Sequence, residues 1–314
     1  MFARQSVPKQ QSRFARLTFL LLMAVAFGSF SVVAFANAKD DEDPRLKPRP
    51  VTLQTKDGME LRAFYFPSDQ KKAATTVILV HEWTGQASPY YKLVSALNEA
   101  GCAVLAPDYR GHGGSKSYVN LRGDKIDLDP SKMSRKDAEA VVAMDLEKAK
   151  GFLKTENNDG YLNLNALVVV GVGEGSVLGS LWAMRDWSFP SLGSVKQGQD
   201  VKALVLVSPE KQIKGLPLEP ALNDNNLLQL PTMIIAGEGS PQASEARRMA
   251  SRIEAKKKRV GRGEVTGLTV KMLDSDLDHS ELVNQVKEAI PAIVSFVTAE
   301  AKGSNPKTPW IERK

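Results

Sequence analysis

Few residues in this 314-residue sequence can do chemistry, and their types narrow the choice. His279 lies in LDSDLDHSEL (273–282), and an imidazole is the side chain that general acid–base catalysis uses most often. His81-Glu82 directly follows an apolar run, and Glu174 stands in the glycine-rich stretch Gly171-Val172-Gly173-Glu174-Gly175. Three histidines in all, and one cysteine, Cys102, argue against a histidine-rich metal centre, a disulfide framework or clustered thiolates. No metal and no cofactor is expected.

The composition, 42% hydrophobic and 25% charged, is that of a folded globular chain. It excludes a mainly disordered, collagen-like or multi-span membrane protein. The formal charge of +6 is unevenly spread. Residues 1–38 hold Arg4, Lys9, Arg13 and Arg16 with no acid, leaving 38 basic and 36 acidic residues beyond them. That balance gives no reason to expect nucleic acid as a partner.

The four charges precede an uncharged stretch, Leu17 to Ala38, with LTFLLLMAVAF as its apolar core. Small residues follow in Ala34-Phe35-Ala36 and Ala36-Asn37-Ala38, then the acidic run Asp40–Asp43. This is the layout of a secretory signal peptide over 1–38, cleaved after Ala36 or Ala38. An uncleaved signal anchor is the rival reading, since about 20 apolar residues span a bilayer. Either way the folded part is expected outside the cytoplasm, periplasmic or secreted, with membrane contact only through an uncleaved segment. Residues 39–50, with three prolines and alternating charge, read as a linker.

The elements that must position the candidate residues are legible next. Val51–Phe66 alternates around Asp57-Gly58, a hairpin signal. TTVILV (75–80) suits a strand buried on both faces. Tyr90, Leu93, Val94 and Leu97 share one helical face, and Gly101 is placed to end that helix. Further strands are expected at Ala103–Ala106, Ala166–Val170, Ala203–Val207, Thr232–Ala236 and Thr269–Leu273. A helix capped by Ser134 and Asp137 should run to about Lys154. Others are expected near Ser176–Arg185 and Ser244–Lys257, and after His279 with a break at Pro291. Repeated β-α units with buried strands imply one mostly parallel twisted sheet with helices on both faces, an α/β domain over 51–302. The tail GSNPKTPWIERK (303–314), polar apart from Trp310 and Ile311, reads as loose, with docking as the alternative, and Lys211–Gln229 reads as a small lid.

Three segments together resemble the α/β-hydrolase family. VILVHEWTGQ (77–86) is similar to the strand and oxyanion loop of dienelactone hydrolases. LAPDYRGHGGS (105–115) is similar to serine-aminopeptidase-like and monoglyceride-lipase-like members. LVVVGVGEGSVLG (167–179) has the strand–turn–helix context of a nucleophile elbow. With His279 after the last strand, the resemblance covers roughly residues 51–300.

The departures are as informative. The family's elbow is Gly-x-Ser-x-Gly, and the resemblance implies that Gly173 occupies the nucleophile position, where no covalent acyl intermediate can form. It likewise implies that Ser240, in Gly237-Glu238-Gly239-Ser240, takes the position of the acid, and a hydroxyl does not stabilise an imidazolium as a carboxylate does. His279 alone remains of the three. Glycine is sterically easy at an elbow, because the nucleophile's backbone there is strained by about 1–3 kcal/mol. Ser176 and Cys102, the nucleophilic side chains that could substitute by type, both read most simply as structural. Glu82, Glu174 and Glu210 are candidates to assist His279, and Asp278 reads as a turn residue. Trp83 is a candidate for the pocket mouth, with Glu82 and Glu174 beside it as ligand contacts. His112, in Arg110-Gly111-His112-Gly113, reads as structural, and the basic run Arg247–Arg262 as a solvated face.

The leading expectation is an exported α/β-hydrolase-fold protein without serine-hydrolase catalysis. It would bind an ester-, acyl- or peptide-like small molecule, or a protein partner. Its rivals are an active hydrolase with a rearranged site around His279 and a glutamate, and a structural role in an envelope assembly.

Overall fold

The structure is a computed structural model that describes residues 43–119, 122–192 and 195–313. The signal segment and its cleavage sites lie outside the described residues.

Eight strands form the central sheet: β1 Arg49–Gln54, β2 Glu60–Phe66, β3 Thr75–Val80, β4 Cys102–Pro107, β5 Asn163–Val172, β6 Val201–Val207, β7 Thr232–Gly237 and β8 Leu268–Leu273. Their order is β1-β2-β4-β3-β5-β6-β7-β8. The β1–β2 hairpin pairs antiparallel, β2 joins β4 antiparallel, and β3 through β8 pair parallel. The continuous Val/Ile/Leu runs of β3 to β7 follow from that placement, because a parallel strand covered on both faces has no polar side to alternate with.

Among the described residues, eight α-helices accompany the sheet: α1 Tyr91–Glu99, α2 Arg135–Ala140, α3 Leu146–Asn158, α4 Glu174–Ser188, α5 Glu219–Asn223, α6 Ala243–Val260, and, after the last strand, α7 His279–Gln285 and α8 Ala289–Glu300. Alternate strand residues feed two separate cores. Val77, Leu79, Val168, Val170, Val205 and Ile235 pack with Leu93 and Leu97 of α1 and with Ile293 and Val297 of α8. Ile78, Val80, Val169, Leu206 and Ile234 face the other way, onto Leu153 of α3, Trp182 of α4 and Ile253 of α6. This is the period-two alternation of a strand read by two helical layers.

Two sequence expectations need correction at the edges. The stretch read as a linker packs on the domain from Asp43 onward. Arg45 pairs with Glu156 at 3.0 Å and with Asp159 at 2.8 Å, and Asp43 accepts from the Tyr161 hydroxyl at 2.6 Å. The tail read as loose is docked. Asn163 Nδ2 donates to the Gly303 and Thr308 carbonyls, Trp310 Nε1 donates to the Asn157 carbonyl, and Arg313 pairs with buried Asp200. The hidden signal was polar. Asn157 and Asn163 are fully buried, and buried amides need partners, which the tail backbone supplies.

The helix expected from Ser134 begins with the capping box of Ser134 and Asp137 but is interrupted by a π-turn at Val141–Asp145. The turn lies where Asp145 meets Arg110, a buried polar contact that an uninterrupted helix to Lys154 did not anticipate. The last helical stretch breaks ahead of Pro291, with α7 ending at Gln285 and α8 starting at Ala289. Proline then sits in the first turn, where its missing N–H costs nothing.

Candidate functional site

β5 ends at Val172, and α4 starts at Glu174 with Gly173 as its N-cap at φ 55° and ψ −125°. That is the sharp strand-to-helix turn expected of an elbow. Its flanking glycines are fixed by packing, since a Cβ on Gly175 would stand 2.1 Å from the Val80 carbonyl oxygen and one on Gly171 2.6 Å from Ser176 Cα. The helix can therefore approach β3 closely only with glycine at these points.

His279 is brought to the same place. A Cβ on Gly173 would lie 2.7 Å from His279 Nε2 and 3.0 Å from Glu82 Cβ. The imidazole thus leans into the volume that a nucleophile's side chain would fill. Its Nε2 is buried without a hydrogen-bond partner, and its Nδ1 stands 3.2 Å from Asp278 Oδ1. The carboxylate facing the ring therefore comes from the preceding residue, which the sequence suggested only as a turn. The backbone N–H of His279 donates to Ser208 Oγ at the end of β6.

Three of the seven described non-glycine residues with positive φ belong to these segments: Thr84 (66°), Ser208 (45°) and His279 (42°). Backbone outliers of this kind collect where a fold holds a site against local preference.

The other expected participants are placed as follows. Ser240 is buried and donates its hydroxyl to the Gly237 carbonyl, so it serves the turn after β7. Glu210 accepts from Gln242 Nε2 at 3.0 Å. Ser176 donates to the Gly171 carbonyl from full burial, and Cys102 is a core thiol pushed up to about 12 by burial. Glu82 is half-buried and accepts from the Tyr90 hydroxyl at 2.5 Å. Trp83, proposed for a pocket mouth, is instead 5% exposed, with its indole N–H on the Pro130 carbonyl. Its ring stacks on Tyr109 and meets His112 edge-on, so the loop after β3 contributes its backbone here rather than an aromatic face.

Glu174 reaches back across the turn. Its Oε2 accepts the Trp83 backbone N–H at 3.1 Å. Burial raises the pKa of this carboxyl above the ordinary glutamate value, against the lowering effect of the Trp83 N–H. The sequence favours a solvated helix-start glutamate here, and the inward reach of the side chain departs from that reading.

The segment Lys211–Gln229, read as a small lid, is an ordered hairpin and short helix. Ile213, Leu218 and Ala221 are buried, and the Lys214 ammonium lies 6.0 Å from the Trp83 ring.

A mostly parallel eight-stranded sheet with an elbow after β5 and a histidine after β8 defines an α/β hydrolase in architecture. More narrowly, residues 71–257 match the serine aminopeptidase family S33, over more than half of the chain, and the chain belongs to that family. Among solved structures it is similar to an esterase of Pyrococcus furiosus, with a TM-score of 0.56 at 17% identity, over 82% of this chain and 92% of that one. It is also similar to a dienelactone hydrolase of Anabaena variabilis, with a TM-score of 0.54 at 15% identity, over 81% and 96% of the two chains. At such identities the likeness is one of fold. An uncharacterized protein of Mycobacterium tuberculosis is 37% identical over 75 residues, 24% of this chain. That match spans about a quarter of the relative's length, 27%.

The geometry makes one prediction at the elbow. Gly173→Ala should cost roughly 1–3 kcal/mol for the positive φ alone, and the added methyl must also displace the His279 ring. Thermal melts check this through a double-mutant cycle: with His279→Ala in the background, the cost of Gly173→Ala should shrink toward the backbone term. Equal costs in both backgrounds would mean that the ring does not occupy that volume.

Proposed function

We propose that this is an exported α/β-hydrolase-fold protein that does not perform serine-hydrolase catalysis and whose cleft binds an ester-, acyl- or peptide-like ligand or a protein partner. The observation that carries the reading is the elbow. Gly173 offers no nucleophile, and the His279 imidazole leans into the space where one would stand. Covalent acyl transfer needs an activated side chain at that point, and removing a nucleophile from such a triad typically costs about 10⁶-fold in rate. Export is proposed from the basic, then apolar, then small-residue order of residues 1–38. N-terminal sequencing of the chain from the exported fraction should begin after Ala36 or Ala38.

A second reading draws on one specific observation. The His279–Asp278 pair, with Nε2 buried and unpartnered, is an imidazole–carboxylate arrangement that could activate water without a covalent step. A panel of chromogenic acyl esters separates the two. We expect turnover by the native chain equal to that of His279→Ala and no higher than that of heat-denatured protein. Turnover that resists a serine-directed phosphonate but disappears in His279→Ala would instead establish the rearranged hydrolase.

A further inference from the structure

In an elbow of this class, two backbone N–H groups face the acyl oxygen: that of the residue after the nucleophile position and one from the loop after the third strand. They work because they are fixed donors with no other acceptor at the moment charge develops. In this chain the corresponding donors are the N–H groups of Glu174 and Trp83, and the Glu174 carboxylate already occupies the second. Glu174 Oε2 takes the Trp83 N–H at 3.1 Å, reaching across the turn from the residue that carries the first. The carboxylate also sits at the first turn of α4, a 15-residue helix whose N-terminal dipole favours negative charge there. It is therefore held by the same forces that would hold a ligand's oxyanion.

We propose that Glu174 is an internal plug of the oxyanion site, an intramolecular carboxylate that closes this site to ester carbonyls, carboxylates and phosphonates from outside. The proposal rests on the placement of the elbow used above, but it adds a second lock that is independent of the missing nucleophile. A ligand of the cleft is then held by contacts other than the oxyanion pair. Restoring a hydroxyl by Gly173→Ser leaves the site shut.

The test is a titration of isotope-labelled full chain with phenylphosphonate, following the backbone amide resonances of Trp83 and Glu174. Glu174→Ala removes the acceptor and should bind the probe roughly 10- to 100-fold more tightly than the native chain, with both amides shifting saturably, the factor expected for freeing hydrogen bonds held by a charged group. Glu174→Gln keeps a carbonyl oxygen that accepts the Trp83 N–H and should stay closed like the native chain. Glu174→Ser serves as a second opening variant should the alanine protein not fold. Native protein that binds phenylphosphonate as tightly as Glu174→Ala, or Glu174→Gln that behaves as an open variant, would overturn the plug. Either result reads binding alone, so it leaves the ester assay to decide separately whether the chain turns over substrate.

Discussion

Replacing Arg110 by methionine is expected to destabilise the fold by roughly 3–5 kcal/mol at neutral pH, the usual cost of breaking a buried ion pair from one side. Arg110 lies in the turn after β4 with its side chain 8% exposed. It binds Asp145 through Nε and Nη2, at 3.0 and 2.6 Å, and Asp57 in the β1–β2 hairpin at 2.8 Å. Asp145 is 1% exposed and would be left as an unpaired buried carboxylate. Burial already raises its pKa with the arginine present, so the variant should relieve itself by taking up a proton. A carboxyl whose folded pKa is raised costs nothing below its unfolded pKa, and the cost grows as the pH rises until the folded pKa is passed. The deficit measured by urea unfolding should therefore shrink as the pH falls. A uniform deficit across pH would place the loss in packing instead. The consequence reaches the candidate site, because the Arg110 turn holds Tyr109 and His112 beneath Trp83 and the loop after β3.

Acid sensitivity starting well above the carboxylate range is the second expected result. His81 and His112 are buried, and their Nδ1–H groups donate to the Glu82 and Arg110 carbonyls. Burial is the largest cause that lowers both rings to about 4. Asp108 Oδ1 stands 3.9 Å from His81 Nε2, beyond hydrogen-bonding distance, so burial prevails. The unfolded chain takes up protons below about 6.5 that the folded chain refuses. Stability present at pH 7 should therefore be lost as the pH falls from about 6.5 toward 4, by roughly 3 kcal/mol for each ring. Unfolding free energies of native protein and of His112→Gln over this range measure it directly. The variant should lose about half of the slope. Identical slopes would show that His112 titrates in the folded state.

Much of this was readable from residue order. The strand runs are continuous because both faces are covered, and glycine spacing marks the elbow because helix and strand meet there without room for a Cβ. Gly173 and His279 are more than a hundred residues apart, and their pairing is suggested by the resemblance alone; a Cβ built on Gly173 would stand 2.7 Å from the ring. What stayed hidden depends on side-chain direction. Asp278 faces His279 where His279 adopts a left-handed backbone, and Glu174 turns inward to accept the Trp83 N–H. The docked tail answers buried asparagines on α3 and β5, which hydrophobic periodicity does not register.

The most direct test of the central claim, that no nucleophile stands at the elbow, is intact-mass analysis of the chain after exposure to a serine-directed fluorophosphonate. The expected spectrum is unchanged for the native protein, because Gly173 carries no side chain and Ser176, the nearest following serine, is fully buried with its hydroxyl on the Gly171 carbonyl. A single stoichiometric adduct that is lost when His279 is replaced would contradict it, by revealing an activated hydroxyl within reach of that imidazole.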